Sequence, residues 1–145
     1  MATRRRLSLI LFSGDFDREH YAFAMASAAA ATDRPVTMFF TGRALHFLLP
    51  KTDNGTPGWT ALAPAENGKT AIDRDNELGS DGIGTIEELA MACVELGVAF
   101  FRCDMGVKAN KLDATKFRSD IPTQSGGLVS FLTEAEKEES QIVFI

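Results

Sequence analysis

Two cysteines, two histidines, one tryptophan and one tyrosine are all that 145 residues hold of these types. Two cysteines do not make a disulfide framework, and nothing marks the chain for export, so the cytoplasm is the expected compartment. His20 and His46 stand at no metal-ligand spacing from Cys93 or Cys103, which argues against a zinc site. The glycines form neither G-x-G-x-x-G nor G-x-x-x-x-G-K-[ST], so the standard nucleotide fingerprints are missing. Basic residues are outnumbered, 15 Lys and Arg against 20 Asp and Glu, leaving a net charge of −5 and no electrostatic footprint for nucleic acid. No uncharged stretch approaches the length of a membrane span. The basic cluster Arg4-Arg5-Arg6 precedes a largely apolar stretch of only six residues, Leu7 to Phe12, before Ser13-Gly14-Asp15. That is too short for a signal-peptide core and reads as a solvated lead-in to a strand.

What is present is ordinary globular composition, 45% hydrophobic and 24% charged, in a chain long enough for one real core. Residues 7–12 are a short apolar run bounded by turn residues, as expected of a strand buried on both faces. A helix over 18–32 follows. Its inner part, Ala22 to Ala31, carries no charge, which predicts burial by more than one neighbour or a subunit contact. Strand character returns over 35–40, and a short helix over 42–49 is stopped by Pro50. Residues 50–84 hold three of the five prolines and six of the twelve glycines. They read as a long excursion with Trp59 docked somewhere, not as a regular element. Thr85-Ile86-Glu87-Glu88 has capping-box spacing, and Gly97 is placed to end the helix it opens. Residues 98–102 form a third strand leading into Cys103. A short helix is expected over 110–117, a weaker strand over 121–124, an amphipathic helix through Leu128, Phe131, Leu132 and Ala135, and a closing strand over 141–145. Such alternation specifies an α/β fold with a mainly parallel sheet of four or five strands covered on both faces. One domain spans 1–145 on this reading.

Ligands of open parallel sheets collect beyond the carboxyl ends of the strands. The first strand delivers Ser13 and Gly14, the second Gly42 and Arg43, the third Cys103, Met105 and Gly106. Glycines let the backbone approach a ligand, Arg43 supplies a cation and Cys103 a thiol. Cys93 falls on the apolar stripe of the capped helix, where cysteine behaves as a small hydrophobe. Two readings stand for Cys103: a thiolate stabilised by the following turn and opposed by Asp104, or a buried residue at a strand end. Ser125-Gly126-Gly127 either cradles an anion or lets a helix pack closely. The acidic run 134–139 reads as a solvated helix face.

Laid out this way, the chain resembles the DsrE/DsrF-like family of small sulfur-relay proteins, and within it the peroxiredoxin-like branch. The resemblance rests on Leu9-Ile10-Leu11-Phe12-Ser13-Gly14-Asp15, Val36-Thr37-Met38-Phe39-Phe40-Thr41, Glu95-Leu96-Gly97-Val98 running to Cys103-x-Met105, and Ser125-Gly126-Gly127 with the last strand. It implies a three-layer α/β/α sandwich and a homo-oligomer, with Cys103 carrying sulfur as a persulfide. Its partners would be sulfur donor and acceptor proteins or small thiols, with no cofactor, membrane or nucleic acid involved. The competing expectations are a non-catalytic small-anion or nucleotide-binding module of the same fold and a purely structural subunit assembled through the alanine-rich helix.

Overall fold

The computed structural model describes residues 4–145. Five parallel strands form one sheet: β1 (Leu7–Leu11), β2 (Val36–Phe40), β3 (Ala99–Cys103), β4 (Thr123–Gly126) and β5 (Gln141–Phe144), in the order β4-β3-β2-β1-β5. Helices flank it as α1 (Phe16–Ala31), α2 (Ala71–Ser80), α3 (Ile86–Glu95), α4 (Asp104–Ala109) and α5 (Leu128–Lys137). The result is the expected α/β/α sandwich.

Period-two alternation along the strands divides the core. Leu7, Leu9 and Leu11 of β1, Val36, Met38 and Phe40 of β2 and Phe100 of β3 enter the larger core, with Phe23 and Ala26 of α1 and Ile86, Ala90 and Cys93 of α3. The intervening residues Phe39 and Cys103 join Phe131 of α5 in a smaller cluster, with Ile10 and Phe101 packed against it. One face of the sheet is thus fully covered, whereas the other relies on α5.

The uncharged stretch of α1 is explained by packing within the chain. Ala22, Phe23, Ala26 and Ala30 are buried, and α1 lies against β1, β2 and α3. Tyr21 is the aromatic residue of α1 that turns outward, 65% exposed. Residues 42–48 form a 3-10 helix rather than an α-helix.

The excursion contains regular structure that composition conceals. A 3-10 turn (Gly58–Ala61) buries Trp59, and α2 follows. The inner face of α2 carries Asp75 beside Ala71 and Leu78, so no clean apolar stripe appears in the sequence. Asp75 accepts a 2.8 Å hydrogen bond from the Ile86 amide, one of the orphan donors at the start of α3. Trp59 packs on Phe16, and its Nε1 donates to Glu87 at 2.8 Å. Arg118 donates both terminal nitrogens to the same carboxylate, at 2.9 and 2.8 Å. Residues 50–84 are stitched to α1 and α3, not loosely attached.

Thr85 caps α3 as its spacing predicts, accepting from the Glu88 amide at 3.2 Å. The return bond differs: the Thr85 hydroxyl donates to the Glu88 carboxylate at 3.1 Å. Gly97 takes φ +81°, the left-handed conformation that ends the helix. The helix expected over 110–117 instead begins at Asp104, directly after Cys103, and only a 3-10 turn (Ala114–Lys116) occupies the expected span. The basic lead-in is solvent-exposed at Arg4 and Arg5, as expected, and half-buried at Arg6. Arg5 donates to the Glu139 carbonyl and Arg6 to the Glu138 carboxylate, placing cations at the C-terminal end of α5 where its dipole favours them.

Candidate functional site

The carboxyl ends of β1, β2 and β3 converge, and most of the residues singled out from the sequence meet there. A Cβ on Gly14 would lie 2.6 Å from the Cβ of Arg43, so only glycine lets these two segments touch. Gly106 packs as tightly on the β2 end: a Cβ there would stand 2.9 Å from Thr41 Oγ1 and 3.2 Å from the Gly42 amide nitrogen. Asn110 fastens the contact, its Nδ2 donating to the Gly106 carbonyl at 2.8 Å and the Gly42 carbonyl at 3.2 Å. Gly42 itself has φ +52°. Ser13 closes its own turn, Oγ accepting from the Asp15 amide at 3.0 Å. Met105 is 67% exposed on the outer side of α4. Partial burial, and to a lesser degree the charge of Arg43, holds the His46 imidazole below its ordinary pKa.

Cys103 lies apart from this cluster. It is the last residue of β3, pairs in register with Gly126 of β4, and is 1% exposed. Its side chain belongs to the α5 side of the sheet, among Phe39, Phe131, Ile10 and Phe101. The thiol is therefore a strand-end residue beneath the first turns of α5. Above it, the Ser125 hydroxyl donates to the Asp104 carboxylate at 2.5 Å, tying β4 to α4. Cys93 is equally buried, but in the main core. Burial pushes its thiol up to about 12, and its Sγ donates only to the Phe23 carbonyl, 3.7 Å away. These are the surroundings of a small hydrophobe, in keeping with its helical position.

Sequence reasoning missed Glu19. It is fully buried, both carboxylate oxygens lack partners, and desolvation, then repulsion from Asp15, holds its pKa well above the usual carboxylate range. The signal is in the sequence: Phe16, Glu19, Phe23, Ala26 and Ala30 form the inward stripe of α1, with one acid among apolar residues. The pairing of Asp104 with Ser125 and of Asn110 with Gly42 carries no such signal, since each joins distant segments. Among the described residues no group of His, Cys, Asp and Glu is placed to hold a metal ion.

No family model matches the chain. Two curated proteins do. Sulfur carrier protein DsrE2 of Allochromatium vinosum is 28% identical over 132 positions, covering 79% of this chain and 83% of the relative. Uncharacterized protein YrkE of Bacillus subtilis is 25% identical over 150 positions, covering 92% of both. The fold is shared with protein MTH1491 from Methanobacterium thermoautotrophicum (TM-score 0.58, 14% identity, 97% of this chain and 99% of that one). It is also shared with the ychN protein from E. coli (TM-score 0.55, 11% identity, 97% and 99%). The chain is thus similar to DsrE/DsrF-like proteins in sequence and in fold. Within this DsrE/DsrF-like fold, Cys103 ends β3, the neighbour of the central strand β2, and no described helix is long and apolar enough to cross a membrane.

Proposed function

We propose that this chain is a cytoplasmic sulfur carrier or sulfurtransferase-like subunit in which Cys103 holds sulfane sulfur as a persulfide. The observation that carries the reading is the position of Cys103, at the carboxyl end of β3 in a fold whose curated relative is a sulfur carrier. The step needs no external oxidant or reductant. Cys103 thiolate attacks the outer sulfur of a donor persulfide; the donor S–S bond breaks, a new S–S bond forms on Cys103, and the donor leaves as a thiolate. Transfer onward is the same exchange, with an acceptor thiolate attacking the outer sulfur of the Cys103 persulfide. Attack requires the thiolate form.

Burial adds a condition to this chemistry. Phe131 covers the thiol from α5, and Gly126-Gly127 precede that helix. Loading then requires the first turn of α5 to lift, with the paired glycines absorbing the backbone change. Ser13, Gly14, Gly42, Arg43 and Met105 lie at the neighbouring strand ends and would meet the donor or acceptor as it approaches, while Gly106 is buried against the β2 end.

A race for limiting thiol reagent near pH 7 tests the assignment. Cys103 is labelled before Cys93, and Phe131→Ala speeds Cys103 labelling severalfold while costing roughly 3 kcal/mol of stability. Equal and slow labelling of both thiols contradicts the proposal.

A further inference from the structure

The α5 side of the sheet carries a second feature, a cleft of about 300 Å³ between α5 and the strands. Strand register orders its floor into rows. Ser8, Thr37 and Ala99 are in-register neighbours across β1, β2 and β3, and form a row of small side chains near the amino ends, two of them hydroxyl-bearing. Two residues further along, Ile10, Phe39 and Phe101 form an apolar row. Cys103 lies two residues beyond Phe101 on the same face, one row of roughly 7 Å further on. Phe131 roofs the apolar end.

The polar end is built and incompletely satisfied. Ser140 lines it at 9% exposure, and its Oγ has no hydrogen-bond partner. An unpaired buried hydroxyl costs free energy that a bound partner would recover. Arg6, the cation lining the cleft, is already engaged, donating through Nε to Glu138 and through Nη1 to Thr37 at 3.1 Å. Glu134 and Glu138 also line the cleft, so its charge opposes an anion. Glu138 is held by Arg6 and Glu134 stands at the rim near Lys137, so no free counter-charge awaits a buried ammonium.

We infer that this cleft binds a small amphipathic molecule with an uncharged hydrogen-bonding head, a hydroxyl or an amide, on an aliphatic or aromatic body. The head meets Ser140 in the polar end, the body crosses Phe39 and Phe101, and its far end points toward Cys103. A cleft of this size lies at the small end of the range for ligand sites, and its apolar lining with a few convergent polar groups is the usual composition. This binding does not depend on sulfur transfer by Cys103, and its test contains no sulfur chemistry.

The probes are 4-phenyl-1-butanol, its carboxylate counterpart 4-phenylbutanoate, and butylbenzene, each titrated into the 15N-labelled full chain. The alcohol should shift the amides of residues 99–101, 130–135 and 140 saturably, at least fivefold more tightly than the carboxylate. Ala99→Phe, which fills the floor, should abolish the shifts. Should that variant fail to fold, Ser140→Ala decides the matter in its place: alcohol affinity falls at least threefold and butylbenzene affinity is unchanged. Absence of saturable shifts, carboxylate binding as tight as the alcohol, or an unaltered alcohol affinity in Ser140→Ala each overturns the inference.

Discussion

Glu19 carries an unpaired acid into the centre of a helix–sheet interface, and it makes stability depend on pH. Desolvation raises its folded pKa, so the native chain keeps a proton that the unfolded chain releases. Stability is then undiminished below the ordinary carboxylate range and falls as pH rises from there toward the raised folded pKa. Within that window the loss is about 1.4 kcal/mol per pH unit, or roughly 5 °C in Tm for a chain of this size. Glu19→Gln keeps the shape and abolishes the titration. Its Tm should match the wild type near pH 4 and exceed it increasingly as pH rises above the ordinary carboxylate range, as read by thermal melts over a pH series. A constant difference between the two would show that Glu19 is charged in the folded state. The same residue shows what a sequence discloses at this scale. An acid on an apolar stripe is visible in advance, as is the difference between Cys93 on a helix face and Cys103 at a strand end. The Gly14–Arg43 and Gly106–Gly42 contacts are not, because each joins residues far apart in sequence.

Among the elements, those with a clean apolar period are legible in the sequence and those without are not. β1, β2 and β3 are short apolar runs in a parallel sheet, and α3 announces itself by its cap and terminal glycine. β4 (Thr-Gln-Ser-Gly) is an edge strand with no apolar residue, so the expected strand over 121–124 starts two residues early. α2 escapes detection because its inner face spends a position on Asp75. Glu87, a carboxylate shared by Trp59 and Arg118, is one anchor of residues 50–84, beside the Asp75–Ile86 and Asp17–Glu66 hydrogen bonds. Arg118 also lies over the Phe47 ring, 5.1 Å from its centroid. Glu87→Ala leaves the buried indole N–H unpaired and costs on the order of 2 kcal/mol. Because the loss is local, it should show itself as opening of the excursion rather than of the sheet. Trypsin should then cut near Lys51 in Glu87→Ala under conditions where the wild type resists. Equal resistance would mean that the other contacts of the segment, the packing of Trp59, Leu62 and Leu78 and the Asp75–Ile86 bond among them, hold it without Glu87.

For the molecule as a whole, the uneven covering of the sheet matters most. Phe12, Ile142 and Phe144 stay exposed on the side that α5 covers incompletely, with Leu128, Val129 and Leu132 on α5 itself. Phe12 and Phe144 pack ring against ring at 5.5 Å, and β5 is an edge strand. Exposed apolar residues of this kind mark contact surfaces. The homo-oligomer that the family resemblance implies is therefore expected to form through this side and not through α1. Light scattering at micromolar concentration should give a mass above that of one chain. Phe144→Glu should lower it to a single chain, whereas Tyr21→Glu should not. A wild-type monomer, or dissociation by Tyr21→Glu alone, contradicts the expectation.

The proposed function rests on sulfur held at Cys103. The decisive measurement is the intact mass of the protein after exposure to a small persulfide donor and removal of the excess. Wild type and Cys93→Ala should each gain the mass of one sulfur atom, which a reductant removes, while Cys103→Ser gains nothing. Uptake by Cys103→Ser, or none by a folded wild type, would contradict it.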